Sequence, residues 1–153
     1  MLDAAGFDAF YRAAFPRVLT ACRAFTSDSD VAMDAAQEAF ARAFAHWNRI
    51  GQHEWPVGWV IATALNQCRR RFRRRPHPSV ADSVPAISTD RIEIVEALRR
   101  LAPRRRTAAV LFYVADLSVA DVAQAMRLSE GAVRSHLTHA RRDLRRALGG
   151  SDE

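Results

Sequence analysis

Apolar residues return at helical spacing along the first third of the chain. Phe7, Phe10, Tyr11, Ala14, Phe15, Val18, Leu19 and Cys22 recur at intervals of three, four and one, so they share one side of a helix. Pro16 interrupts this pattern and predicts a kink or a break. The polar run Thr26–Asp30 is a turn able to cap the next helix. Ala32 to Ile50 predicts a second long helix, rich in alanine, with Phe40, Phe44 and Trp47 on one side. Gly51 to Pro56 predicts a loop, and Val57 to Arg75 a third helix. Within that helix Ile61, Leu65, Cys68 and Phe72, at spacings of four, three and four, form the buried stripe. Thr63, Asn66, Arg70 and Arg73 then face outward.

Residues 76–90 carry three prolines and no helical period, which predicts an extended, flexible linker. Beyond it Ile92 to Leu101 predicts a helix, Pro103 suits the first turn of the next, and Arg104 to Ala115 continues it. Leu117–Met126 and Arg127–Leu137 then predict two short helices joined by a tight turn, each opened by a capping serine, Ser118 and Ser129. That is a helix-turn-helix. Val133, Leu137, Ala140 and Leu144 make the inner stripe of its second helix. Ser135, Thr138, His139, Arg142 and Arg146 fall opposite, flanked by Arg134 and Arg145, a face suited to the major groove. No useful strand alternation occurs, so the expected fold is all-α, two small helical domains (1–75 and 91–148) joined by the flexible linker 76–90.

Charge sharpens this picture. The net charge is +6, and all 23 basic residues are arginine, whose planar fork matches phosphate. Residues 69–75 contribute six arginines and no acid, and residues 91–148 twelve arginines against six acids. Two separate basic stretches point to two contacts with one polyanion. Asn66 has the amide that pairs with an adenine edge, and Arg70 and Arg73 can hold phosphates. Trp47, Trp55 and Trp59 lie close by; each is either a stacking surface for unpaired bases or part of the core. The two cysteines, Cys22 and Cys68, sit within apolar helical patterns and read as buried free thiols. No apolar run spans a bilayer and the N-terminus lacks a basic start, so a cytoplasmic protein is expected.

With these residues in view, the chain resembles the bacterial RNA polymerase sigma factors of the sigma-70 family, in particular the extracytoplasmic-function (ECF) group that keeps only regions 2 and 4. Phe7-Asp8-Ala9-Phe10-Tyr11 with Phe15–Leu19 resembles the family's opening helix, Asp34–Phe40 matches its Asp-x-x-Gln-Glu-x-Phe signature, and Leu117–Leu148 resembles region 4.2. The resemblance implies promoter recognition and strand opening without a catalytic site, metal or cofactor. It implies that Asp34, Gln37, Glu38 and Arg42 dock core RNA polymerase on the clamp coiled coil of its largest subunit. It further implies that the loop from Gly51 to Trp59 receives a flipped base of the −10 element, that Asn66 opens the −10 reading helix alongside Trp59, Thr63, Arg70 and Arg73, and that Arg134, Ser135, Thr138 and His139 read the −35 element with Arg142 beside them. Promoter DNA and core polymerase are the implied partners, with an anti-sigma protein as a further one. The chain departs from the family at Leu65, Arg70, Arg127, Ala132 and His136, so the promoter sequences are not inferred.

Two other readings compete. A stand-alone helix-turn-helix regulator accounts for Leu117–Leu148 but leaves Asp34–Phe40, the tryptophans and Arg69–Arg75 without a role. A metal-dependent enzyme using His46, His53, His136 and His139 lacks any accompanying carboxylate-histidine signature.

Overall fold

Helix α1 (Ala4–Phe25) runs unbroken through Pro16. The proline sits on the solvent side, so the carbonyl that loses its N–H partner one turn earlier faces water rather than the core. The computed structural model describes residues 4–74 and 89–149, the side chains of residues 72–74 and 89–92 excepted. The expected linker lies outside the described residues but for Thr89 and Asp90, which open a helix instead. The expectations for the side chains of Phe72 and Arg73 also lie outside them.

Helix α2 (Ser29–Ala45) begins three residues before the apolar pattern predicts. The reason is Asp28, a buried carboxylate whose Oδ1 accepts from the N–H groups of Asp30 and Val31 at 3.0 and 3.2 Å. Ala32, Ala35, Ala36, Ala39 and Ala43 form its inner face, small enough for α1 and α4 (Pro56–Arg74) to approach closely. The long helix expected to reach Ile50 is interrupted at His46, whose backbone leaves the helical region (φ −116°, ψ 23°). The short α3 (Trp47–Ile50) then turns Trp47 inward. Its ring lies 5.4 Å from Phe7 and 5.0 Å from Phe10, while Tyr11 meets Phe40 edge-on at 4.9 Å. Phe44 joins this cluster only by its edge, 5.0 Å from Phe7, and stays 42% exposed, unlike the buried Phe40.

The second half comprises α5 (Thr89–Arg99), α6 (Pro103–Ala109), α7 (Val119–Met126) and α8 (Glu130–Ala147), α6 passing into a π-helical turn over Val110–Val114. Ser118 and Ser129 cap α7 and α8, each accepting a backbone N–H at 3.1 Å. Arg127 closes α7 in the left-handed conformation (φ 56°), and Leu128 N–H reaches back to Ala123 O at 2.9 Å. Where such a turn favours glycine, this chain carries the strained residue its sequence announces.

The two halves pack on each other. Helix α1 lies against α5 and the π-turn, and α4 against α7. One continuous buried cluster runs from Val18, Cys22 and Phe25 to Leu98, Leu101, Val110 and Leu111. Inside the first half Cys22 and Cys68 are both buried free thiols. Their mutual hydrogen bond, followed by burial, pushes the Cys68 thiol far above its usual range.

Candidate polymerase-binding and DNA-binding surfaces

On α2, Asp34, Gln37 and Arg42 are exposed and Glu38 is half-buried, one turn apart along a single rim. The rim is already engaged in exchangeable pairs. Arg42 Nε donates to Glu38 Oε1 at 3.2 Å, and Arg71 of α4 reaches Asp34 Oδ2 at 3.3 Å. With the Gln67 amide oxygen turned toward it, Arg42 also donates to that oxygen at 3.0 and 3.2 Å. Exposed pairs of this kind contribute about 1 kcal/mol or less each, so a docking partner can displace them at little cost. Sequence reasoning missed Arg71 and Gln67. Their role depends on the α2–α4 crossing, which no local spacing reveals.

The stripe of α4 is inverted as expected: Ile61, Leu65 and Cys68 are buried while Asn66 and Arg70 are exposed. Asn66 Oδ1 accepts from Arg69 Nη2 at 2.8 Å, which leaves its amide N–H groups pointing outward as donors. Thr63 is half-buried, its hydroxyl donating to Trp59 O at 2.8 Å. The loop expected to run from Gly51 to Trp59 is shorter, since α4 starts at Pro56 and Trp59 belongs to it. Trp59 is half-buried against the core, and Trp47 is taken up by the core entirely. Trp55 rests on Gly58, where an added Cβ would lie 2.6 Å from the ring, and Arg17 stands 5.8 Å from its centroid.

On α8, Val133, Leu137 and Ala140 are buried, and Arg134, Ser135, Thr138 and Arg142 are exposed. Thr138 donates its hydroxyl to Arg134 O at 2.9 Å, and Arg134 lies 3.8 Å from Glu130, a loose pair that frees its guanidinium. His139 is half-buried beside this face. His136 points into a cleft shared with Arg104, Arg105 and Arg69. Burial lowers its pKa, as do the charges of Arg104, Arg105 and His139. Arg105 is tied to Asp143 at 3.0 Å, holding α6 against α8.

Among the described residues no three histidines, cysteines, aspartates or glutamates come together as metal ligands. No described helix is long and apolar enough to cross a membrane.

The helical halves correspond to two family models. Residues 10–76 match sigma-70 region 2, and residues 91–144 match sigma-70 region 4. The region 2 match accounts for the part of the chain that a stand-alone regulator leaves without a role. The ECF RNA polymerase sigma factor SigM of Mycobacterium tuberculosis is 30% identical over 96% of this chain and 79% of its own length. The ECF RNA polymerase sigma factor SigL of the same organism is 33% identical over 80% of this chain and 77% of its own. In fold, the chain is similar to the sigma factor RpoE of Bartonella quintana, solved in complex with the anti-sigma factor NepR. That match has a TM-score of 0.80 and 20% identity, covering 95% of this chain and 98% of that one. Two helical halves in this order, each matched by its own region model and joined in relatives of which more than three quarters is matched, show that the chain belongs to the ECF sigma factors of the sigma-70 family, initiation subunits that direct RNA polymerase to promoters.

Proposed function

We propose that the two halves divide the work of initiation, residues 1–75 binding core polymerase and opening the −10 element and residues 89–148 reading the −35 element, with residues 76–88 as the linker. The rim of Asp34, Gln37, Glu38 and Arg42 docks the clamp coiled coil of the largest subunit, its weak pairs to Arg71 and Gln67 giving way on contact. Arg134, Ser135, Thr138 and His139 face base edges, and Arg142 a phosphate. The protein performs no catalysis of its own and works in the cytoplasm. The similarly folded RpoE, solved with the anti-sigma factor NepR, supports an anti-sigma protein as a further partner.

The observation that carries this reading is the outward face of α4: exposed Asn66 and Arg70 directly above the buried stripe, with Trp59 about two turns before Asn66. An extruded base costs a few kcal/mol to unstack, and the site must bind it strongly enough to offset that. Asn66 supplies the amide that reads the base, Trp59 and Thr63 the wall beside it, and Arg70 and Arg73 neutralise the backbone. The Asn66→Ala variant is therefore expected to keep core capture and −35 duplex binding but to lose open complexes. A template already unpaired over the −10 region should partly rescue it. Permanganate footprinting of unpaired thymines in the reconstituted holoenzyme is the measurement. Reactivity equal to that of the unsubstituted protein on duplex promoter DNA would remove Asn66 from this role.

A further inference from the structure

We infer that Arg69 is a positioning residue that sets what Asn66 reads, an inference resting on Asn66 as the residue that meets the extruded base. By occupying the amide oxygen, Arg69 leaves a surface of donors, which selects guanine or cytosine over adenine.

Both residues belong to α4, three positions apart and so neighbours on one side of the helix. Arg69 Nη2 donates to Asn66 Oδ1 at 2.8 Å. A guanidinium has donors and no acceptor, so the end of the amide that faces it is the oxygen, and the NH2 end is turned away. Arg69 is half-buried, which limits where its guanidinium can go, while Asn66 is exposed to an incoming base. The neighbouring arginines are otherwise placed: Arg71 is held by Asp34 at 3.3 Å, and Arg70 is exposed. Among the described residues no carboxylate pairs with Arg69, so nothing draws it off the amide. Because the pair lies within one helix, it persists whatever the two halves do relative to each other.

An asparagine left to itself matches adenine, its oxygen taking the N6 amino group while its NH2 meets N7. Arg69 removes that match. The cation on Oδ1 occupies one lone pair and repels any further donor from the other, and it polarises the amide so that its N–H groups donate more strongly. The guanidinium keeps other N–H groups of its own, so amide and guanidinium together present two donors side by side. Two adjacent acceptors answer them: N7 and O6 of guanine, or N3 and O2 of an unpaired cytosine. Thymine carries its two oxygens on either side of an N–H, and adenine has an amino group beside both N1 and N7, so each satisfies one donor only. The adenine match that the amide alone suggests is thereby replaced by a match to acceptor pairs.

Competition binding of the reconstituted holoenzyme to promoter templates unpaired over the −10 element tests this, each of the four bases being placed in turn at each non-template position. Premelted templates take the cost of strand opening out of the comparison. The position read by Asn66 is the one at which Asn66→Ala changes the ranking of the bases. There the unsubstituted protein should prefer guanine or cytosine to adenine by about tenfold, the discrimination of one good bidentate contact. Whichever of the two ranks first identifies the edge that is bound. Arg69→Met keeps the length of the side chain but neither its charge nor its donors. It should bring the ratio to within about twofold of unity, or reverse it toward adenine, while core capture and helicity by circular dichroism are kept. Arg69→Lys restores a charged donor without the fork and should recover part of the preference. A guanidinium that only held a phosphate would move all four bases together and lower the salt dependence. Such a uniform loss in Arg69→Met, with the ratio kept, would overturn the role of Arg69, as would an unsubstituted protein that prefers adenine at this position. A ranking left unchanged by Asn66→Ala at every position would refute the reading of Asn66 and the role of Arg69 with it. A ranking that moves with Asn66→Ala but not with folded Arg69→Met would refute the role of Arg69 alone.

Discussion

His136 shows how a residue beside a recognition face can report on packing rather than on DNA. It lies on the inner side of α8, and burial first, then Arg104, Arg105 and His139, hold its imidazole below the ordinary value. The folded state accordingly binds a proton less readily than the unfolded chain. As pH falls through the ordinary histidine range near ~6.5, the unfolded chain protonates first and folding stability is lost, until the lower folded value is reached. Urea unfolding at about pH 7.5 and about pH 5.5 should show this loss in the unsubstituted protein and a smaller one in His136→Gln. Equal losses in both would mean that the cleft does not control this titration. The sequence shows His136 and His139 as neighbouring histidines on one helix, and only the packing of α6 against α8 shows that His136 borders the cleft with Arg104 and Arg105.

At the scale of elements, most of the fold is legible in the sequence because the apolar spacing is unambiguous in α4 and α8. Their stripes, Ile61-Leu65-Cys68 and Val133-Leu137-Ala140, are buried as the period requires. The helix boundaries are less legible. Asp28 draws α2 forward by capping it, His46 splits it, and Pro16 leaves α1 intact because its missing bond faces solvent. Each of these outcomes turns on a cap or on backbone geometry, which apolar spacing does not measure. The turn between α7 and α8 is the opposite case. The absent glycine is visible in the sequence, and Arg127 indeed carries a positive φ of 56°. A non-glycine residue there costs about 1 kcal/mol. Arg127→Gly should raise the thermal midpoint by about 2–4 °C for a domain of this general size without altering DNA affinity beyond the loss of one exposed charge. A lower midpoint would mean that the arginine side chain contributes more than its backbone costs.

For the whole molecule, the candidate surfaces are legible residue by residue, whereas their relation is not. Asn66, Arg134 and Thr138 are exposed where the pattern places them, yet nothing in the spacing shows that Arg69 and His136 border one cleft, or that Arg17 and Arg106 cross the junction. Those contacts join residues far apart in the chain through backbone carbonyls, which every residue has and no motif marks. The tryptophans divide for the same reason: Trp47 packs among Phe7 and Phe10, while Trp55 and Trp59 stay near the surface of α4.

The sequestered thiols of Cys22 and Cys68 turn the molecule into its own chronometer. With neither thiol open to solvent and that of Cys68 held protonated, a disulfide reagent in native buffer can react only during excursions that unzip α1 from α4. The labelling half-time therefore measures how often that seam parts, with no engineered probe and no denaturant. Core polymerase gripping the α2 rim should lengthen it, and equal half-times with and without polymerase would mean that docking leaves the breathing of this helical bundle untouched.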